Sequence, residues 1–288
     1  MLWFLLSLLS ALMWATADAL TKRFFSDLNP YEMGMIRLLY LLPFLIPLLF
    51  IVSIPPLGAA FWAIVALLLP VEGAALFLYM NSIQSSPLSL TLPFLSFTPA
   101  FLILTGFLFL GELPNLWGAG GIILVVAGTY ILNLNKKAEG AWGPFRAVLA
   151  ERGSWMMLLV SLLYAYTSAL GKAAILRSDP LFFGPFYIIA LTLFLLPFLL
   201  LTKRVRIAAL WRRPWQGMAV GGAAAVMLVS HYFAITMVQA AYMIAVKRLS
   251  PLFGVLYGGI LFGEEEIGVR LAGVGMMISG VFLITLLG

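Results

Sequence analysis

Lys247 and Arg248 stand side by side inside an otherwise apolar stretch, residues 239–264. An ion at bilayer depth costs several kcal/mol on most scales, so a cation there needs either a function or a partner. Arginine offers a planar fork suited to a carboxylate or phosphate, and lysine a movable point charge. Three readings are open for the pair: recognition of an anion, an internal salt bridge, or snorkelling towards the interface. Adjacent helical residues point about 100° apart, so only one of the two is expected to face a cavity squarely. His231, in the preceding apolar segment, is read either as a structural, hydrogen-bonded histidine or as a proton carrier.

A second polar group lies earlier in the chain, where Asp18, Arg37 and Glu72 interrupt apolar segments. An unpaired buried ion is far costlier than a paired one, so Arg37 is expected to pair with Glu72 or Asp18. Such a pair is either architectural or a gating and coupling element, in which a carboxylate carries a proton. Trp14, Tyr79, Tyr164, Tyr166, Tyr232 and Tyr257 are candidates for the wall of an amphipathic cavity, with interfacial belts as the alternative for any aromatic, and Trp14, Tyr79, Tyr232 and Tyr257 are the ones assigned to the substrate site.

The elements that carry these residues are membrane spans. Of 288 residues, 63% are hydrophobic and 10% charged, far from the roughly one-quarter charged residues of a soluble domain. The mean hydropathy is +1.08. Apolar runs of about twenty residues recur along the whole length, which leaves no space for a soluble catalytic domain. The net charge of +6 is therefore read as a topology signal and not as a nucleic-acid footprint. Absence of cysteine removes disulfides, thiolate chemistry and cysteine-bound metals. The opening Met1-Leu2-Trp3-Phe4 lacks a positive n-region and the segment lacks a cleavage site, so it is expected to be retained as a span.

Proline, glycine and charge punctuate ten expected helices, at 2–24, 31–53, 57–81, 86–109, 113–134, 153–176, 180–202, 213–238, 239–262 and 266–287. The chain repeats itself. A shift of 150 places Ala19, Lys22, Pro30, Gly34, Phe44 and Pro47 on Ala169, Lys172, Pro180, Gly184, Phe194 and Pro197. A shift of 152 places Pro99, Gly106, Gly111, Glu112, Gly121 and Gly128 on Pro251, Gly258, Gly263, Glu264, Gly273 and Gly280. The organisation is a first five-helix repeat at 1–134, a hydrophilic linker at 135–152 and a second five-helix repeat at 153–288. An odd number of spans per repeat inverts the second copy, and inverted repeats hold their substrate near the midplane between the halves. The expected fold is an all-α integral membrane protein of ten transmembrane helices arranged as two inverted five-helix repeats.

Basic residues concentrate in odd-numbered connections: Lys22 and Arg23; Lys136, Lys137, Arg146 and Arg152; Lys203, Arg204, Arg206, Arg212 and Arg213. The positive-inside rule puts these in the cytoplasm and both termini outside. At about 1.5 Å of rise per residue, Asp18 and Glu72 then lie roughly 24 and 22 Å below the outer face and Arg37 about 9 Å above the inner one, in the inner half of a core about 30 Å thick. Lys247 and Arg248 lie about 12 Å below the outer face, so two polar tiers are expected. Lys22 and Lys172, near helix ends, are expected to snorkel. The pairs Gly217/Gly221, Gly254/Gly258 and Gly259/Gly263 have the spacing of close helix crossings, with loosening for gating as the other reading. Glu264, Glu265 and Glu266 are expected to form a solvated cap.

The five-plus-five duplication and the paired signatures Thr98-Pro99…Gly111-Glu112 and Ser250-Pro251…Gly263-Glu264 resemble the EamA-type members of the drug/metabolite transporter superfamily. The resemblance covers essentially the whole chain. It implies a basket-shaped ten-helix carrier, often an exporter of amino acids, other metabolites or toxic compounds, with a central cavity. Lys247-Arg248 is also similar to the Lys-Arg pair that contacts phosphate on the ninth helix of the plastid organophosphate translocators. Family members are drawn with cytoplasmic termini, opposite to the charge count.

The reading is a secondary active transporter, an exporter or exchanger of a small anionic or zwitterionic metabolite such as an amino acid, working by alternating access. An organophosphate or sugar-phosphate antiporter is the alternative. No Gly-x-x-x-x-Gly-Lys-Ser/Thr motif is present, so the driving force is expected from protons, a counter-substrate or another gradient. An intramembrane lipid-modifying enzyme would need a nucleophile–base pair or a metal cluster, which one histidine and no cysteine supply poorly. No cofactor or metal and no nucleic-acid partner is expected. The expected partners are a small-molecule substrate and the lipid bilayer of the cell membrane (the inner membrane in a Gram-negative source), with the protein a monomer or homodimer.

Overall fold

The computed structural model describes residues 1–86, 91–132, 152–250, 252–253, 257 and 270–288, and among these every regular element is a helix. The first, α1 (Leu2–Phe25), is unbroken. Asn29 then accepts from the Glu32 amide at 2.9 Å while the Glu32 carboxylate accepts from the Asn29 amide at 3.3 Å, a reciprocal cap that starts α2 (Pro30–Leu39). The twin connection works the same way. Asp179 accepts from the Leu181 and Phe182 amides at 2.7 and 3.2 Å and starts α8 (Pro180–Leu201).

The second expected helix is broken. It runs as α2 and α3 (Leu42–Leu49), because Pro43 has no N–H to give the Leu39 carbonyl. The expected 86–109 helix is likewise a 3-10 turn, Leu92–Phe97, followed by α5 (Thr98–Leu110). Pro99 again lacks the amide, and the Leu95 carbonyl takes the Thr98 hydroxyl instead, at 2.6 Å. The remaining elements are α4 (Ala59–Ser85), α6 (Leu116–Leu132), α7 (Arg152–Ile175), α9 (Ile207–Leu210), α10 (Pro214–Met237), α11 (Ala240–Lys247) and α12 (Arg270–Leu287). Linker residues 135–151, Pro251, the glycines 254, 258, 259 and 263 and the glutamates 264–266 lie outside the described residues.

Six of the described helices are long and apolar enough to cross a membrane: α1, α2 with α3, α4, α7, α8 and α10. Shorter apolar helices cover Phe94–Leu110, Leu116–Thr129 and Gly275–Leu287. Leu104, Phe107, Leu108, Leu193 and Phe198 are exposed, as lipid-facing side chains are.

Packing runs between the halves: α1 lies along α10, α4 along α7 and α6 along α12. The last of these contacts is reciprocal. A Cβ on Gly121 would lie 2.6 Å from the Gly280 carbonyl oxygen, and one on Gly128 would lie 2.7 Å from that of Gly273. Gly121 and Gly273 are repeat-equivalent, as are Gly128 and Gly280, so each glycine meets the other's counterpart. Antiparallel helices exchanged by a two-fold axis across their length make this pattern.

Gly217 and Gly221 do mark a close crossing, with Tyr40 lying against α10. A Cβ on Gly221 would fall 1.9 Å from the Tyr40 carbonyl oxygen, which backbone cannot relieve by a rotamer change. Gly221→Ala is therefore expected to destabilise by about 1–3 kcal/mol. Gly222→Ala, whose nearest neighbour is the Phe44 ring edge at 3.3 Å, should be tolerated. Thermal unfolding of both variants in detergent checks the contrast; equal melting temperatures would count against it.

The connections 26–29 and 203–213 meet at one face. Asp27 pairs with Arg212 at 3.1 Å and Arg213 at 2.8 Å, and Glu32 with Arg206 at 2.7 Å. The Arg213 guanidinium holds the Asp27 carboxyl below the usual carboxylate range. Both connections are odd-numbered in the charge count, so their meeting agrees with the parity of the spans.

Candidate functional site

α10 stops at Met237, and two extended residues, Val238 and Gln239, separate it from α11. The eight-residue α11 carries Lys247 as its last residue and Arg248 as its cap, where the carbonyl end of a helix favours a cation. Both side chains line a central cavity of ≈ 170 Å³. Against the expectation that one would point aside, both reach the cavity although Arg248 still donates its amide to the Ile244 carbonyl at 3.0 Å, as a helical residue does; the length of the two side chains, not a change of backbone, brings them together.

Arg248 is 2% exposed and donates from Nη2 to the Thr98 hydroxyl at 2.9 Å, while its Nε and Nη1 have no hydrogen-bond partner among the described residues. Lys247 is 3% exposed, and its Nζ lies 3.3 Å from His231 Nδ1. That nitrogen accepts if the lysine is charged, so the histidine then holds its proton on Nε2. Among the described residues no carboxylate lies within 4.0 Å of either cation.

Trp14 of α1 is the hub of the cavity. Its ring lies 4.2 Å from Lys247 Nζ, 5.8 Å from Arg248 Cζ and 5.9 Å from Arg37 Cζ, within cation–π range of all three. Its Nε1 donates to the Tyr79 hydroxyl at 3.1 Å, and Tyr79 donates to Asp18 Oδ2 at 2.5 Å. Arg37 pairs with Asp18 Oδ1 at 2.7 Å. Of the two expected partners for Arg37 the structure selects Asp18. Glu72 lines the cavity beside Thr167 and lies within electrostatic reach of Lys247, with no cation within 4.0 Å among the described residues.

The two expected tiers are therefore one site. Straight helices counted down from the membrane surfaces placed Arg37 and Lys247 apart. In the structure both sit at the inner ends of half-helices, α2 and α11, which deliver their cations to the same indole. His231 and Tyr232 of α10 also line the cavity. Tyr257 does not: its hydroxyl lies 2.7 Å from that of Thr16, away from the cavity wall.

Lys172 also departs from expectation. It is 4% exposed, pairs with Glu112 Oε1 at 2.5 Å and donates to the Val238 carbonyl at 2.6 Å. Tyr164, one of the expected aromatics, lines the cavity, and Ser168 and Tyr187 do so unannounced by their chemistry. A shift of 150 makes Ser168 and Tyr187 the equivalents of Asp18 and Arg37, and that signal would have found them.

No curated protein matches the chain. A solved protein crystal structure superposes with a TM-score of 0.73 at 13% sequence identity, covering 99% of this chain and 99% of that one, and so shares the fold. The family model described as the EamA-like transporter family matches residues 1–134 and again 151–286, one copy for each half. With essentially the whole length accounted for by two copies, this multi-pass membrane protein belongs to the EamA-like transporter family.

Proposed function

We propose that the protein is a secondary carrier of a small anionic or zwitterionic metabolite, with an amino acid as the type case, moved across the cell membrane by alternating access in export or exchange. The observation that carries this reading is the pair of buried Arg248 nitrogens, Nε and Nη1, without a hydrogen-bond partner among the described residues, beside Lys247 and on the same cavity as Glu72. Buried donors left unmade cost free energy, so a site of this kind is completed by a ligand that supplies acceptors. A carboxylate answers Arg248 and Lys247, and an ammonium group answers Glu72. A phosphate dianion would meet the same cations but also face Glu72 as a like charge, which ranks the organophosphate reading second.

Lys247, Arg248, His231, Trp14, Tyr79 and Tyr232 form the binding wall in this proposal, and Asp18, Arg37 and Glu72 serve gating or coupling. The chain divides into a repeat at 1–134, a linker at 135–152 and a repeat at 153–288, ten spans in two inverted sets of five. The reciprocal Gly121–Gly280 and Gly128–Gly273 contacts support the inversion. A proton or a counter-substrate supplies the driving force.

The test is a thermal-shift screen of amino acids and phosphorylated metabolites on the purified protein and on Lys247→Ala, followed by counterflow of the best hit in proteoliposomes. Amino acids should stabilise the parent and not the variant, and unlabelled substrate inside should accelerate uptake of label. Hits that stabilise both proteins equally would remove the anion site from this place.

A further inference from the structure

We propose that Glu112 and Lys172 are positioning residues of the substrate site: together they fix the elbow between α10 and α11 and so hold Lys247 and Arg248 against the cavity. The inference rests on the reading of that cationic pair as the anion-binding group.

The elbow leaves backbone groups at the end of α10 and the start of α11 without helical partners. Two of them are met by side chains. The Val238 carbonyl accepts from Lys172 Nζ at 2.6 Å, and the Ala240 amide donates to Glu112 Oε2 at 2.8 Å. Lys172 and Glu112 close the circuit at 2.5 Å, and Gln239 donates to the Leu113 carbonyl at 3.2 Å. Gly111, at φ +68, ends α5 in the left-handed region and turns the chain so that Glu112 reaches the elbow.

α5 thus grips α11 at both ends. Thr98 at its start receives Arg248, and Glu112 just past its end receives Ala240. From Ala240 to Lys247 the axial distance is about 10 Å at 1.5 Å per residue, so a tilt of roughly 10° at the elbow displaces Lys247 by about 2 Å. Binding groups need placement to within about 0.5 Å, so a slack elbow disperses the pair. Lys172 and Glu112 need not touch the ligand to matter.

The absence of native cysteine allows a test that does not depend on the substrate. Ser168 lines the cavity, and Ser168→Cys places a single thiol there. The ratio of its reaction rates with an anionic and a cationic methanethiosulfonate reagent (sulfonatoethyl and trimethylammonioethyl) reads the positive potential set by the pair. Lys247→Ala in this background should lower the ratio by about fivefold or more. Lys172 itself lines the cavity one turn from Ser168, so it is left in place. Glu112→Met removes the acceptor of both Lys172 and Ala240 together with a negative charge, so charge alone predicts an equal or higher ratio; displacement of the pair predicts a fall of about threefold or more.

An unchanged or higher ratio in Glu112→Met overturns the positioning role. An unchanged ratio in Lys247→Ala instead overturns the underlying reading of the cationic pair, and this inference with it. Melting temperature and monodisperse elution report folding. Should Glu112→Met fail them, Glu112→Asp, which keeps the charge but is one methylene too short to span both Lys172 and Ala240, should give an intermediate fall, and no fall there overturns the proposal.

Discussion

Arg248→Ala is expected to weaken binding of the best amino-acid ligand by about 2–5 kcal/mol, roughly 30-fold to several thousand-fold in Kd. The size follows from the setting. Arg248 is buried, its side-chain hydrogen bond among the described residues goes to the neutral Thr98 hydroxyl, and two of its nitrogens have no acceptor among those residues. A ligand carboxylate would therefore take its strongest, charge-assisted hydrogen bonds from this residue. Arg248→Lys keeps the charge without the fork and should recover part of the loss. The complementary pole gives the opposite signature: Glu72→Gln should weaken the amino acid while strengthening its deaminated carboxylate analogue, since the like charge on the cavity has gone. Calorimetric titration of both ligands against the three variants checks the set. Equal losses for both ligands in Glu72→Gln would place the ammonium elsewhere.

How far the sequence reveals this site depends on what each residue's neighbours in the chain can disclose. The duplication is visible because glycine and proline are held by backbone geometry: Pro30 and Pro180 each open a helix behind a capping side chain, and Gly121 and Gly280 each leave room for the other's carbonyl. Lys247, Arg248, Asp18, Arg37 and Glu72 stand out because ions are rare in apolar segments. Their common meeting point was not legible. Depth counted along straight helices separates Arg37 from Lys247, and the two half-helices that end inside the protein bring them to one indole. Lys172 illustrates the same blindness: near a helix end it reads as an interfacial cation, whereas its partner Glu112 is 60 residues away and its carbonyl acceptor 66. The second repeat has replaced Asp18 and Arg37 by Ser168 and Tyr187, so the duplicated positions still face the cavity with their charge removed. That divergence is why the symmetry of the fold does not appear as a symmetry of charge.

Asp18→Ala should be among the most destabilising single substitutions in the protein, at about 3–5 kcal/mol, because it strands a buried cation. Asp18 is 1% exposed and accepts from both Arg37 and Tyr79. Without it, Arg37, Lys247 and Arg248 surround one indole with no carboxylate among the described residues bound to any of them. Asp18→Asn keeps one acceptor oxygen for Arg37 and turns its amide NH2 towards Tyr79, whose hydroxyl can rotate to accept, so it should lose less. The decisive variant removes the charge problem instead of creating it: Asp18→Leu with Arg37→Met replaces the buried pair by apolar side chains of similar length, a change that is often neutral or stabilising. Thermal unfolding in detergent should rank the double variant near the parent, Asp18→Asn below it and Asp18→Ala lowest. A double variant as unstable as Asp18→Ala would show that packing, not the stranded charge, sets the cost. A double variant that is stable but does not transport would place the pair in the transport cycle, where gating by Asp18 and Arg37 requires it.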